Sequence, residues 1–110
     1  MIANLDFTFI GKNSLLKGDF VFANDTKISG RIEGNVTVLN NAKFTLEIGS
    51  EFLGNLNADQ IEIYGNFNGE IIASGNLVIF PTGNVEGKIV AKSIEVLPGA
   101  NLNISGHTHS

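Results

Sequence analysis

A five-residue phrase, apolar–x–Gly–x–apolar, returns five times along this chain, and it constrains the fold more than any other feature. The copies are Leu16-Lys17-Gly18-Asp19-Phe20, Ile32-Glu33-Gly34-Asn35-Val36, Phe52-Leu53-Gly54-Asn55-Leu56, Phe67-Asn68-Gly69-Glu70-Ile71 and Val85-Glu86-Gly87-Lys88-Ile89. Their central glycines are 16, 20, 15 and 18 residues apart. A degenerate copy, Leu102-Asn103-Ile104, follows 17 residues later with Ile104 in the place of Gly. A repeat of this length is too short for the common helical or leucine-rich arrays, but it suits one coil of a β-helix.

A second phrase, apolar–x–apolar followed by a turn, lies between the copies of the first. It reads Thr26-Lys27-Ile28, Leu46-Glu47-Ile48, Ile61-Glu62-Ile63, Leu77-Val78-Ile79 and Ile94-Glu95-Val96, with Phe7-Thr8-Phe9 as a partial opening copy. Turn chemistry follows in Tyr64-Gly65-Asn66, Pro81-Thr82-Gly83-Asn84 and Pro98-Gly99-Ala100-Asn101. Gly and Asn tolerate positive φ, and Pro presets the first corner of a turn. Alternate residues of a strand face opposite sides, so the apolar pair flanking each Gly enters the core while Lys17, Glu33, Asn35, Asn55, Glu86 and Lys88 face water. The five glycines are expected outward or at a bend. The whole predicts an all-β, single-domain triangular β-helix (a solenoid) of about six coils. It occupies 5–106, between a short N-terminal tail at 1–4 and a C-terminal tail at 107–110. Each coil buries its apolar side only by stacking on the next.

The stack's ends carry the functional expectation. The first strand is expected at 5–10 and the last coil at 97–106, leaving little sequence at either end for a capping helix. Open solenoid ends expose unpaired backbone and core, and coil stacked on coil between subunits would cover both. The predicted polymerisation interface is Leu5, Phe7 and Phe9 at one end and Leu97, Leu102 and Ile104 at the other. If each end associates with its own kind, alternating the two contacts produces a filament without polarity.

Several function classes lose support from composition. The net charge is −4 and the seven Lys and Arg are scattered singly, so no basic stripe exists to neutralise a nucleic-acid backbone. With no cysteine, disulfides and thiol chemistry are excluded, which fits a reducing cytoplasm. No secretory signal and no apolar run of membrane-spanning length are visible. The expected location is therefore cytoplasmic.

A hexapeptide-repeat acyltransferase is the enzyme alternative, because its β-helix is also three-sided. Ile61, Phe67, Ala73, Ile79, Val85, Ala91 and Leu97 do keep a six-residue spacing. The spacing fails upstream, however, and Ile71, Leu77 and Ile89 are large where that repeat favours small residues. Its general base is ordinarily a rigidly held histidine, whereas His107 and His109 are the chain's two histidines and both stand in its last four residues. Two histidines are also too few for a His-built zinc centre, and added zinc is expected to leave assembly unchanged. Asp59 with Glu62, or Glu47 with Glu51, read as polar positions rather than as catalytic carboxylate pairs. No phosphate loop, nucleophile elbow or dinucleotide fingerprint is present. No catalytic residue, metal ligand or cofactor is assigned. A β-helical adaptor that does not polymerise is the other alternative.

The phrases Ile32-Glu33-Gly34-Asn35-Val36 and Val85-Glu86-Gly87-Lys88-Ile89 resemble the repeat of the bactofilins, bacterial polymer-forming cytoskeletal proteins. So do the opening Phe9-Ile10-Gly11-Lys12-Asn13-Ser14, with Leu16-Lys17-Gly18-Asp19 after it, and the late segment Phe80-Pro81-Thr82-Gly83-Asn84-Val85-Glu86-Gly87. The resemblance covers roughly 7–104. It implies a right-handed β-helix that assembles without nucleotide into non-polar filaments acting as a scaffold in cell shape or cell-envelope organisation. It also implies cell-wall enzymes or a longer bactofilin paralogue as partners beside the homopolymer itself. The implied location is peripheral, at the inner face of the cytoplasmic membrane. Met1 and Ile2 are the candidate membrane contact, but they lack basic neighbours and a lipidation signal, so weak or no direct binding is expected.

Overall fold

A computed structural model describes residues 7–104 (for 7–10 and 104, the backbone). Ten strands occur in this order: β1 (Phe7–Ile10), β2 (Leu15–Phe22), β3 (Asp25–Ile28), β4 (Arg31–Val38), β5 (Lys43–Leu46), β6 (Glu51–Ala58), β7 (Gln60–Ile63), β8 (Asn66–Ile79), β9 (Asn84–Val96) and β10 (Asn101–Ile104). There is no helix among the described residues. Every pairing is parallel and joins a strand to one a full coil away, through β1-β3-β5-β7-β8-β6-β4-β2, with β9 between β8 and β10.

Each coil has three sides because the chain turns at three recurring places. In the coil from β7 into β8, Ile61 and Ile63 line one side, Phe67 the second, and Ile71 and Ala73 the third, all buried. The corners are Tyr64-Gly65, Gly69 and Ser74-Gly75. The last of these is held by the Gly75 N–H donating to the Asp59 carbonyl at 2.8 Å. The side that carries the Gly phrase offers six rungs when both end strands are counted, yet the rises between them number five. The solenoid therefore makes about five turns, where counting phrases suggested six coils.

The glycine of the first phrase sits at a corner, and geometry requires it there. Gly18, Gly34, Gly54, Gly69 and Gly87 form one in-register column with φ between 124° and 142°. At Gly34, Gly54, Gly69 and Gly87, a Cβ would come within 1.8–1.9 Å of the carbonyl oxygen of the preceding glycine in the column. Two independent constraints, left-handed backbone and an occupied Cβ position, thus exclude every other residue. Ile104 pairs with Gly87, so the degenerate copy is in register and the glycine column ends with it.

Stacking in register turns the repeat into continuous interior columns. One runs Leu16–Ile32–Phe52–Phe67–Val85–Leu102, and its four central members are at most 2% exposed. Within it the Phe52 and Phe67 rings stack at 4.7 Å. Another runs Ile28–Leu46–Ile63–Ile79–Val96, with the backbone of Ile10 in register before Ile28. Burying one such side chain contributes roughly 1.5–3 kcal/mol, so the columns are the main stabilising element.

Register corrects two sequence assignments. The β5 copy of the second phrase is Phe44-Thr45-Leu46, because Phe44 and Leu46 pair with Thr26 and Ile28; Ile48 is instead 65% exposed in the following turn. The copy in β1 is Thr8-Phe9-Ile10, one residue later than Phe7-Thr8-Phe9, since Thr8 and Ile10 pair with Thr26 and Ile28. The 20-residue coil causes the first shift. Its extra residues widen two turns, 39–42, where Asn40 and Asn41 take positive φ, and 47–50, which holds Ile48 and Gly49.

Candidate assembly surfaces at the ends of the stack

Interior columns cut across at an end leave their last members with one stacking neighbour instead of two. At the β1–β2 end, Leu16, Phe20 and Phe22 are only half-buried, although their in-register partners Ile32, Val36 and Val38 are buried. The Phe20 and Phe22 rings lie parallel, 3° apart in plane, with centroids at 6.1 Å. At the β9–β10 end, Val96 is 41% and Leu102 36% exposed, and Ile94 is half-buried. Their partners Ile79, Val85 and Leu77 are fully buried.

The backbone is open at the same places. Among the described strands β1 pairs only with β3, β2 only with β4 and β10 only with β9, while the second half of β9 pairs only with β8. Each end therefore presents strand edges next to truncated core, the combination that templates pairing with a further coil.

The residues expected at these ends are distributed unevenly. Leu102 lies in an interior column at the β9–β10 end. Leu97 is half-buried and occupies a corner, where its N–H donates to the Ile79 carbonyl at 2.9 Å. Phe80 and Tyr64 hold the same place one and two coils earlier. Ile104 takes the glycine-column position by its backbone. Phe7 and Phe9 hold the register positions of Asp25 and Lys27. Leu5, Met1 and Ile2 lie outside the described residues, as do His107 and His109. Leu16, Phe20, Phe22, Ile94 and Val96 were not singled out from the sequence. The signal was present for Leu16, Phe20, Ile94 and Val96, the apolar positions of the first Gly-phrase copy and the last copy of the second phrase; Phe22 lies outside both phrases.

Polar groups on the three outer faces are engaged in stacking. Arg31 donates to Glu33 at 2.9 Å and to Glu51 at 2.8 Å, and Ser74 donates to Asp59 at 2.9 Å. Lys43 lies 3.8 Å from Glu62. Asp59, Glu62 and Glu51 thus each contact a side chain of a neighbouring coil. Among the described residues, no group of three or more His, Cys, Asp or Glu could hold a metal ion. Tyr64 stacks on Phe80 with ring centroids 4.1 Å apart. Desolvation, followed by the charges of Glu62 and Glu47, raises its hydroxyl pKa. No helix of the described residues is long and apolar enough to cross a membrane.

Comparison with known families places residues 8–107 under a family model described as bactofilin, polymer-forming cytoskeletal. Neither the curated proteins nor the solved structures yield a match.

Proposed function

The chain belongs to the bactofilin family, a structural, polymer-forming cytoskeletal family, and on that premise we propose that it assembles end to end, without nucleotide, into non-polar filaments. The observation that supports this reading is the pair of open column ends: Leu16, Phe20 and Phe22 on one side, Ile94, Val96 and Leu102 on the other. Joining two ends restores a second stacking neighbour to each column and a partner to each strand edge. A contact of an end with its own kind is isologous, and alternating two isologous contacts extends without limit and without direction.

In the cell such a filament is a scaffold, serving cell shape or the organisation of the envelope. Its partners are further copies of this chain or of a longer paralogue, and cell-wall enzymes held along it. The proposed place is the cytoplasm, at the inner face of the membrane, with Met1 and Ile2 as a weak contact. Catalysis has no part in this proposal.

Electron microscopy of the purified protein in nucleotide-free buffer tests the reading. Filaments are expected for the wild-type chain and short oligomers for Leu102→Glu or Phe20→Glu. A wild-type protein that stays monomeric at tens of micromolar by light scattering would overturn it.

A further inference from the structure

Two outward columns on one side of the solenoid enclose a straight open trough of about 560 Å³ that runs along the stack to its β10 end. The first column ends in Asn66, Asn84 and Asn101, and the second in Asn68, Glu86 and Asn103. Asn84 donates its amide to Asn66 at 2.8 Å, and Asn101 donates to Asn84 at 2.7 Å. Each bond uses one N–H and one carbonyl lone pair. The remaining N–H and lone pair stay available, with the amide plane fixed by its neighbours. The trough therefore presents a preorganised row of paired donors and acceptors, repeating at the rung spacing of about 4.8 Å.

We propose that this trough binds an uncharged, extended β-linked sugar chain. Charge selects the chemistry. Five amides share the trough with two carboxylates, Glu51 and Glu86, and its one lining cation, Arg31, is already held by Glu33 and Glu51, so a polyanion finds no free counter-charge there. Amides that both donate and accept match hydroxyl groups, which do the same. Shape selects the length. The trough is open, spans several rungs and is straight, which suits a chain rather than a compact small molecule. Repeat selects the linkage. An extended β-linked chain advances by about one pyranose ring per rung, whereas an extended peptide advances by about 3.3 Å per residue and falls out of step. Leu53, one rung before Asn68 in the second column, supplies apolar contact for the C–H face of a ring. The proposal is independent of filament formation.

Fluorescence anisotropy with a labelled β-1,4-linked glucose hexasaccharide tests it, using the full chain. Saturable binding is expected, with at least tenfold weaker affinity for Asn84→Ala and for the more exposed Asn68→Ala. Asn55→Ala provides the control, because it removes a similar amide ladder bond, to Asn35 at 2.8 Å, on a different face. That variant should bind as the wild type does, and the α-1,4-linked hexasaccharide, whose path curves, should not bind. Four outcomes would each overturn the proposal: no binding at millimolar sugar, equal loss in the Asn55 and Asn84 variants, equal binding of the α-linked chain, or selective binding of an extended peptide instead. Thermal melting of each variant separates loss of the trough from loss of the fold.

Discussion

A Cβ placed on Gly54 would lie 1.9 Å from the carbonyl oxygen of Gly34 on the adjacent coil, whereas one placed on Gly18 would meet nothing within 4 Å. Both glycines share the same backbone, with φ of 132° and 129°. The difference is position in the column. Gly54 is covered by a preceding coil, and Gly18 opens the column at the end proposed for assembly.

The two therefore separate backbone strain from steric exclusion. Gly18→Ala is expected to cost about 1–3 kcal/mol, the price of an unfavourable backbone region. Gly54→Ala adds a collision with main-chain atoms and should exceed about 4 kcal/mol, a large share of the total stability of a small domain. Urea denaturation at one fixed protein concentration would check the order. Equal losses would show that the column is not sterically closed.

Column position also sets the cost of truncating an apolar side chain. Phe52→Ala removes a ring packed edge-on to Phe44 at 5.9 Å and stacked on Phe67 at 4.7 Å, and should cost about 3–5 kcal/mol. Leu102→Ala, at the open end of the same column, should cost less, about 1–2 kcal/mol of fold stability, since 36% of its surface is already exposed and it has one stacking neighbour in the column. Its effect should instead appear as shorter assemblies in sedimentation velocity.

Stability should fall in alkali through Tyr64. Its pKa in the folded chain is raised above the ordinary 10.0, mainly by desolvation and then by Glu62 and Glu47. The unfolded chain thus loses this proton first as pH rises. The group's stabilising contribution is complete below pH 10 and is lost as pH climbs through the raised folded value. Tyr64→Phe removes the titrating group, so its unfolding midpoint should decline less steeply between neutral pH and strong alkali than that of the wild type. Parallel declines would remove Tyr64 as the cause.

Surface ion pairs should matter little by comparison. Arg31 bridges Glu33 and Glu51, but all three side chains are substantially exposed to solvent. Arg31→Ala is expected to cost less than about 1 kcal/mol, and the loss should shrink further in 0.5 M salt. Chemical denaturation with and without salt is the measurement.

Much of this molecule is legible in the sequence before any coordinates. The Gly phrase predicts the corner column, and its apolar flanks predict the interior columns that Ile32, Phe52, Phe67 and Val85 occupy. The degenerate copy ending in Ile104 is in register as read. Less legible were the stack's end surfaces. Phe7 and Phe9 are read as end positions from their place in the first strand, and their backbone pairs with Asp25 and Lys27. Leu16 and Val96, which close columns, are not marked as end positions by the phrases alone.

The chain's own order of residues determined the coil: glycine where the backbone turns left-handed against a neighbour, apolar side chains at alternate positions, and Asn, Gly or Pro where the path bends. Those are local requirements, imposed on each residue by its own dihedral angles and the parity of a strand. Tertiary structure alone decided which three residues of the irregular coil form the rung, placing Phe44 and Leu46 inside and Ile48 outside. It alone decided which side chains end the columns. Register belongs to two strands at once, and a slip of one or two residues leaves the sequence's hydrophobic rhythm almost unchanged while moving side chains between core and surface.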